Sequence, residues 1–159
     1  MPVRLRRAVA LAAVASLSLF PAAAHSAEPV AYTLRNARAG TCLHHTFGTA
    51  QVRLEPCEAV PEQRWELRPE GASLNVSAFD PEKGGRGCVA IGDGWNVRYG
   101  QCRTTEAAWD LAPGSHVRVR SESELNDNDL YLTQTRAGNL GAQPGGDCLA
   151  ADWVVTEAP

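Results

Sequence analysis

The sequence predicts an all-β domain built from three copies of one unit closed around a shared axis. Three observations carry this: tryptophans at a fixed step, cysteines at nearly the same step, and short strands of period two. Trp65, Trp109 and Trp153 are each 44 residues apart, and Trp95 stands outside the series. Each of the three starts a run with apolar side chains two apart: Trp65-Glu66-Leu67, Trp109-Asp110-Leu111 and Trp153-Val154-Val155. Side chains that alternate with period two mark a strand.

The other elements follow in the same order in every copy. An opening strand is seen in Tyr32-Thr33-Leu34, Leu74-Asn75-Val76 and Val117-Arg118-Val119. A second strand begins at Cys42-Leu43, Cys88-Val89 and Tyr131-Leu132. A third precedes the second cysteine, as in Val52-Arg53-Leu54 and Val97-Arg98-Tyr99. Cys57, Cys102 and Cys148 then stand 8, 7 and 5 residues before their tryptophans. A repeat of this length also suits propeller blades and paired-helix solenoids. No apolar 3.6 period runs through even 12 residues of the exported part, which excludes the solenoid. A propeller needs at least about four blades. Three units of four short strands fit a closed barrel, in which each unit gives one apolar face to the axis.

The first 26 residues are set apart. Arg4, Arg6 and Arg7 make a basic start, Ala8 to Phe20 is apolar except for Ser16 and Ser18, and small residues follow. This order is that of a secretory signal peptide, and its apolar run is shorter than the roughly 20 residues of a membrane span. Cleavage is expected after Ser26, with Ala24 and Ala27 as alternatives, and Arg6-Arg7 leaves twin-arginine export open. The domain is expected at 30–156, with repeats at about 30–70, 71–113 and 114–156. Export leaves 12 basic residues against 18 acidic ones, a charge of −6. Such a surface argues against nucleic acid and anionic membranes as partners. No second apolar run exists to span a membrane.

All five cysteines lie in the exported part, where disulfides persist. Pairing within each repeat gives Cys42–Cys57 and Cys88–Cys102. Tyr131 stands where the partner of Cys148 would be, so Cys148 is left over. It is expected to be a buried free thiol; an intermolecular disulfide and a reactive thiol are the other readings.

These residues resemble a known family. Tyr32-Thr-Leu-Arg-Asn, Gly40-Thr-Cys42-Leu43, Val52-Arg-Leu-Glu-Pro-Cys57 and Gln63-Arg-Trp65 look like the first repeat of a ricin B-type lectin domain. The resemblance covers roughly Val30 to Val155 and implies a β-trefoil with three repeats, each carrying a Cys-Leu step and a Gln-x-Trp signature. Only the first copy holds Gln63; Ala107 and Ala151 stand at that place before Trp109 and Trp153. In lectins of this family a sugar is gripped by an Asp two residues after the first cysteine, an aromatic two before the second, and an Asn three before the tryptophan. Here those positions hold His44, Glu55 and Glu62, then Ala90, Gly100 and Glu106, then Thr133, Gly146 and Ala150. No copy keeps the set.

The second copy offers a substitute. Gly92-Asp93-Gly94-Trp95-Asn96 places an acid, an indole and an amide within four positions, and Tyr99 follows three residues before Cys102. One reading makes Asp93, Trp95, Asn96 and Tyr99 a weak glycan site. The other makes Asp93-Gly94 a hairpin turn, with Trp95 and Tyr99 packed on the barrel. His44 and His45 are adjacent on a strand and face opposite sides, so they do not share a metal. Glu122, Glu124, Asp127 and Asp129 form an acidic stretch without EF-hand spacing. Asn75-Val76-Ser77 is a glycosylation sequon by form, on an alternating strand. No nucleophile, zinc or phosphate-loop motif is present, so neither catalysis nor a cofactor or metal is expected. Two binding functions remain: a secreted carbohydrate-binding module with a glycan or polysaccharide partner, or a protein-binding trefoil such as a protease inhibitor or toxin accessory subunit.

Overall fold

A computed structural model describes residues 29–111, 114–121, 130–144 and 151–159; at 105 and 115–118 only the backbone is described. The signal-peptide reading, the acidic stretch and Cys148 lie outside these residues. The first copy contributes β1 (Ala31–Asn36), β2 (Cys42–His45), β3 (Val52–Glu55) and β4 (Trp65–Glu70). The second contributes β5 (Ser73–Asp80), β6 (Gly85–Ile91), β7 (Val97–Gly100) and β8 (Trp109–Asp110). The third contributes β9 (Gly114–Arg118), β10 (Arg120–Ser121), β11 (Leu130–Gln134), β12 (Leu140–Pro144) and β13 (Asp152–Glu157).

The pairings close a ring. β1 pairs with β4, β4 with β5, β5 with β8, and β8 with β10. β9 runs into β10 through Val119 and pairs with β13, which returns to β1. Near-closure of this kind limits the free strand edges that open sheets carry as a hazard. Three hairpins, β2–β3, β6–β7 and β11–β12, attach through β1, β5 and β10.

The repeated residues recur because they meet the same physical demand three times. Trp65, Trp109 and Trp153 are fully buried. A buried indole N–H needs an acceptor. Trp65 Nε1 donates to Leu43 O at 3.0 Å, Trp109 Nε1 to Val89 O at 2.8 Å, and Trp153 Nε1 to Leu132 O at 2.9 Å. Each acceptor is the residue after Cys42, Cys88 or Tyr131, so the Cys-Leu step and the tryptophan are two ends of one bond. Leu34 in β1, Val76 in β5 and Val119 between β9 and β10 fill the core beside them.

Gln63 has its own task. Its Nε2 donates to Pro56 O and its Oε1 accepts from Glu58 N, both at 2.8 Å, which ties the segment after β3 to the 3-10 turn Pro61–Gln63. Ala107 and Ala151 fill the equivalent buried places without such a clamp. In the second copy the preceding strand substitutes: with its amide nitrogen turned toward them, Asn75 donates to Ala107 O at 2.7 Å and Cys102 O at 3.2 Å. Asn75 is thus turned inward and buried, so the sequon is not displayed on the folded surface. The Cys42–Cys57 and Cys88–Cys102 disulfides are both formed. Among the described residues no helix is long and apolar enough to cross a membrane.

Candidate functional site

The second copy carries an exposed tryptophan, Trp95, and a cavity at the places where the resemblance puts a sugar. The sequence between β6 and β7 folds as a tight 3-10 turn over Asp93–Trp95. Gly94 and Trp95 both adopt left-handed backbone, with φ of 67° and 63°. Glycine does so without strain; a bulky residue does not, at a cost of about 1–3 kcal/mol. Trp95 is nevertheless 43% exposed, so core burial does not account for the whole strain. Asn96 Nδ2 donates to Asp93 O at 2.6 Å and closes the turn. Asp93, Trp95 and Asn96 are therefore brought together, all exposed.

Tyr99 does not join them, which corrects the expectation of a four-residue cluster. Strand alternation decides the matter: Val97 and Tyr99 face one way, Arg98 and Gly100 the other. Tyr99 is buried. Its hydroxyl accepts from Gly87 N and donates to Ala78 O, each at 2.6 Å. The ring lies so close to β6 that a Cβ on Gly87 would stand 2.4 Å from it. On its other side the ring stacks on His45, with centroids 3.6 Å apart.

A buried polar cluster continues from there into the first copy. His45 Nε2 lies 3.7 Å from Asp80 Oδ2 and 3.4 Å from Thr49 O, and Asp80 accepts from Gly48 N, Glu82 N and Lys83 N. Burial lowers the pKa of His45. Burial works against the Asp80 carboxylate, but its three backbone donors and His45 prevail and hold its pKa below the usual value. Burial raises the pKa of the Tyr99 phenol. This cluster fixes β7 from beneath and belongs to the fold, not to the open site. His44, in contrast, is half-buried on the other face of β2. Among the described residues no group of three His, Cys, Asp or Glu side chains could hold a metal ion.

On the outward face of β6 and β7 lies a cavity of about 380 Å³, walled by Ala90, Arg98, Gly100, Gln101, Thr104 and Glu106. It includes all three places at which the resemblance puts the sugar-gripping Asp, aromatic and Asn in the second copy. Its volume falls at the small end of the roughly 300–1,000 Å³ typical of ligand pockets. Gly100 supplies no ring to stack on, and Ala90 no carboxylate. Arg98 and Gln101 supply donors instead, and Glu106 an acceptor. The cavity adjoins the Asp93–Asn96 turn through Gly92: a Cβ there would stand 2.4 Å from Asn96 Oδ1 and 3.1 Å from Arg98 Nε. Arg98, Gln101 and Thr104 were not singled out from the sequence, although alternation from buried Tyr99 would have turned Arg98 outward.

The other copies differ at these places. In the first, Glu55 is held by Arg53. In the third, Thr133 is buried, and Gly146 and Ala150 lie outside the described residues. A second cavity of about 490 Å³ lies against the start of β1, lined in part by Val30, Tyr32, Leu67 and Arg86. There Arg86 is already paired with Glu66 at 2.7 Å.

No family model matches the sequence, and no relative is found among curated proteins. Solved structures do match. The GlcNAcα1-4Gal-releasing endo-β-galactosidase from Clostridium perfringens aligns with a TM-score of 0.66 and 14% identity, over 82% of this chain and 33% of that one. The β-trefoil lectin of the Vibrio vulnificus hemolysin/cytolysin, solved with N-acetyl-D-lactosamine bound, aligns with 0.64 and 15%, over 84% and 98%. SeviL, solved bound to the asialo-GM1 saccharide, aligns with 0.63 and 13%, over 82% and 99%. The chain thus spans a third of the galactosidase and nearly the whole of the two others. Together with the closed ring, three hairpins and three repeated indole bonds, this likeness establishes the fold: the chain is a β-trefoil.

Proposed function

We propose that this chain is a secreted carbohydrate-binding module that holds one saccharide on its second copy and catalyses no reaction. The observation that carries the reading is Trp95, exposed and held in left-handed backbone in the turn that leads into β7, whose Arg98 walls a polar cavity. Its indole offers a face for the C–H side of a sugar ring, which is the role of the missing aromatic at Gly100. Gln101 and Arg98 donate to ring oxygens and hydroxyls, and Glu106 and Asp93 accept from hydroxyls. The saccharide complexes of two structural neighbours support the same reading. Export by a leader over residues 1–26 is part of the proposal, and two disulfides suit an oxidising compartment. Titration of the mature protein with a glycan panel tests it. Trp95→Ala is expected to weaken the best ligand by about tenfold, a loss of about 1.4 kcal/mol. Equal affinity of variant and parent overturns the assignment.

The second reading is a protein-binding trefoil, favoured by the loss of the sugar-gripping set from Ala90, Gly100 and Glu106. Failure to bind any polysaccharide, together with inhibition of one member of a protease panel, would select it.

A further inference from the structure

We infer that the cavity on β6 and β7 selects a saccharide bearing a carboxylate, which Arg98 receives. The inference rests on the reading that this cavity takes a saccharide, and concerns which class. Ala90 and Arg98 are directly opposed across the β6–β7 pair. Side chains so opposed have Cβ atoms about 4.5–5.5 Å apart. An acid at position 90 would neutralise Arg98 within the protein itself. Alanine there leaves the guanidinium without a carboxylate partner among the described residues, in a chain whose exported part has more acids than bases.

The arginine is also placed. Tyr99 anchors the strand from below, so Arg98 faces outward next to it. Its stem lies over Gly92, where a Cβ would stand 3.2 Å from Cδ. Gly100, on the same face of β7, keeps the space beside it open. A planar guanidinium recognises a carboxylate through two parallel hydrogen bonds, stronger than those to a neutral hydroxyl. Gln101 and Glu106 are left for the hydroxyls of the same ring. Glu106 also sets a limit: its charge repels ligands with several negative groups, so one carboxylate on one ring suits the site better than a densely sulfated chain.

Calorimetric titration of the intact mature protein tests this with three probes: a galacturonic acid trisaccharide, its methyl ester, and a sulfated galactose oligosaccharide. The acid is expected to bind at least about tenfold more tightly than the ester, and the sulfated probe more weakly than the acid. In Arg98→Gln the acid-to-ester ratio should fall to about one, with Arg98→Lys between. Thermal unfolding of each variant verifies its fold. Equal binding of acid and ester, or preference for the sulfated probe, overturns this inference and leaves the glycan reading standing. If no glycan of any class binds, both fall.

Discussion

At the scale of single residues, Trp95 separates stability from binding. Its left-handed backbone is a cost that glycine would not bear. Trp95→Gly and Trp95→Ala remove the same indole, but only glycine relieves the backbone. The glycine variant should be more stable than the alanine variant by about 1 kcal/mol, read by denaturant unfolding. Equal stabilities would show that the turn relaxes without strain. Trp95 was legible in the sequence because it broke the 44-residue series. Tyr99 is left open between the two readings by the sequence for a physical reason: spacing from a cysteine does not say which face of a strand a side chain takes. Its alternation partner Val97, read against the buried β6, would have done so. Asp80 gave no signal either, because its role depends on backbone donors 32 residues away at Gly48 and close by at Glu82 and Lys83.

At the scale of elements, the three copies share a framework and differ in how they brace it. The indole-to-carbonyl bond recurs in all three, and it is what the sequence displayed as a regular step. The Gln63 clamp does not recur, and the second copy replaces it with Asn75. Gln63→Ala should therefore cost about 1–2 kcal/mol, because the first copy has two hydrogen bonds to lose. Ala107→Gln should not restore an equal amount, since Asn75 already ties that segment to the turn through Cys102 O and Ala107 O. Chemical denaturation of the two variants checks this, and equal and opposite effects would refute it. The strands, their order and both disulfides were legible because burial and loop closure impose local patterns. The cavity was not, since Arg98, Gln101 and Glu106 converge only when β7 and the turn after it are in place.

At the scale of the whole molecule, the buried cluster of His45, Asp80 and Tyr99 joins the first copy to the second. The pKa of His45 is lowered from the ordinary 6.5, so below that value the unfolded chain takes a proton that the folded chain refuses. Its contribution to stability is complete above about pH 6.5 and is lost as pH falls through the lower folded value. Asp80 behaves likewise from 3.8 downward. The thermal midpoint should drop between pH 7 and 5 and again below 4. His45→Gln should flatten the first step and leave the second. A parent profile flat from pH 7 to 5 would contradict the assignment.

The seam of the ring has a mechanical consequence. β1 and β13 run antiparallel, and Ala158 N donates to Ala31 O at 2.8 Å where the first strand begins and the last one finishes. A pull applied to both ends would load the pairs one after another, from Tyr32 opposite Glu157 to Asn36 opposite Trp153. Bonds broken in series resist far less force than bonds sheared together. Tethered by both ends, the module should open like a zip at low force, long before its thermal stability would suggest. Tethered by one end, it should hold its ligand under load.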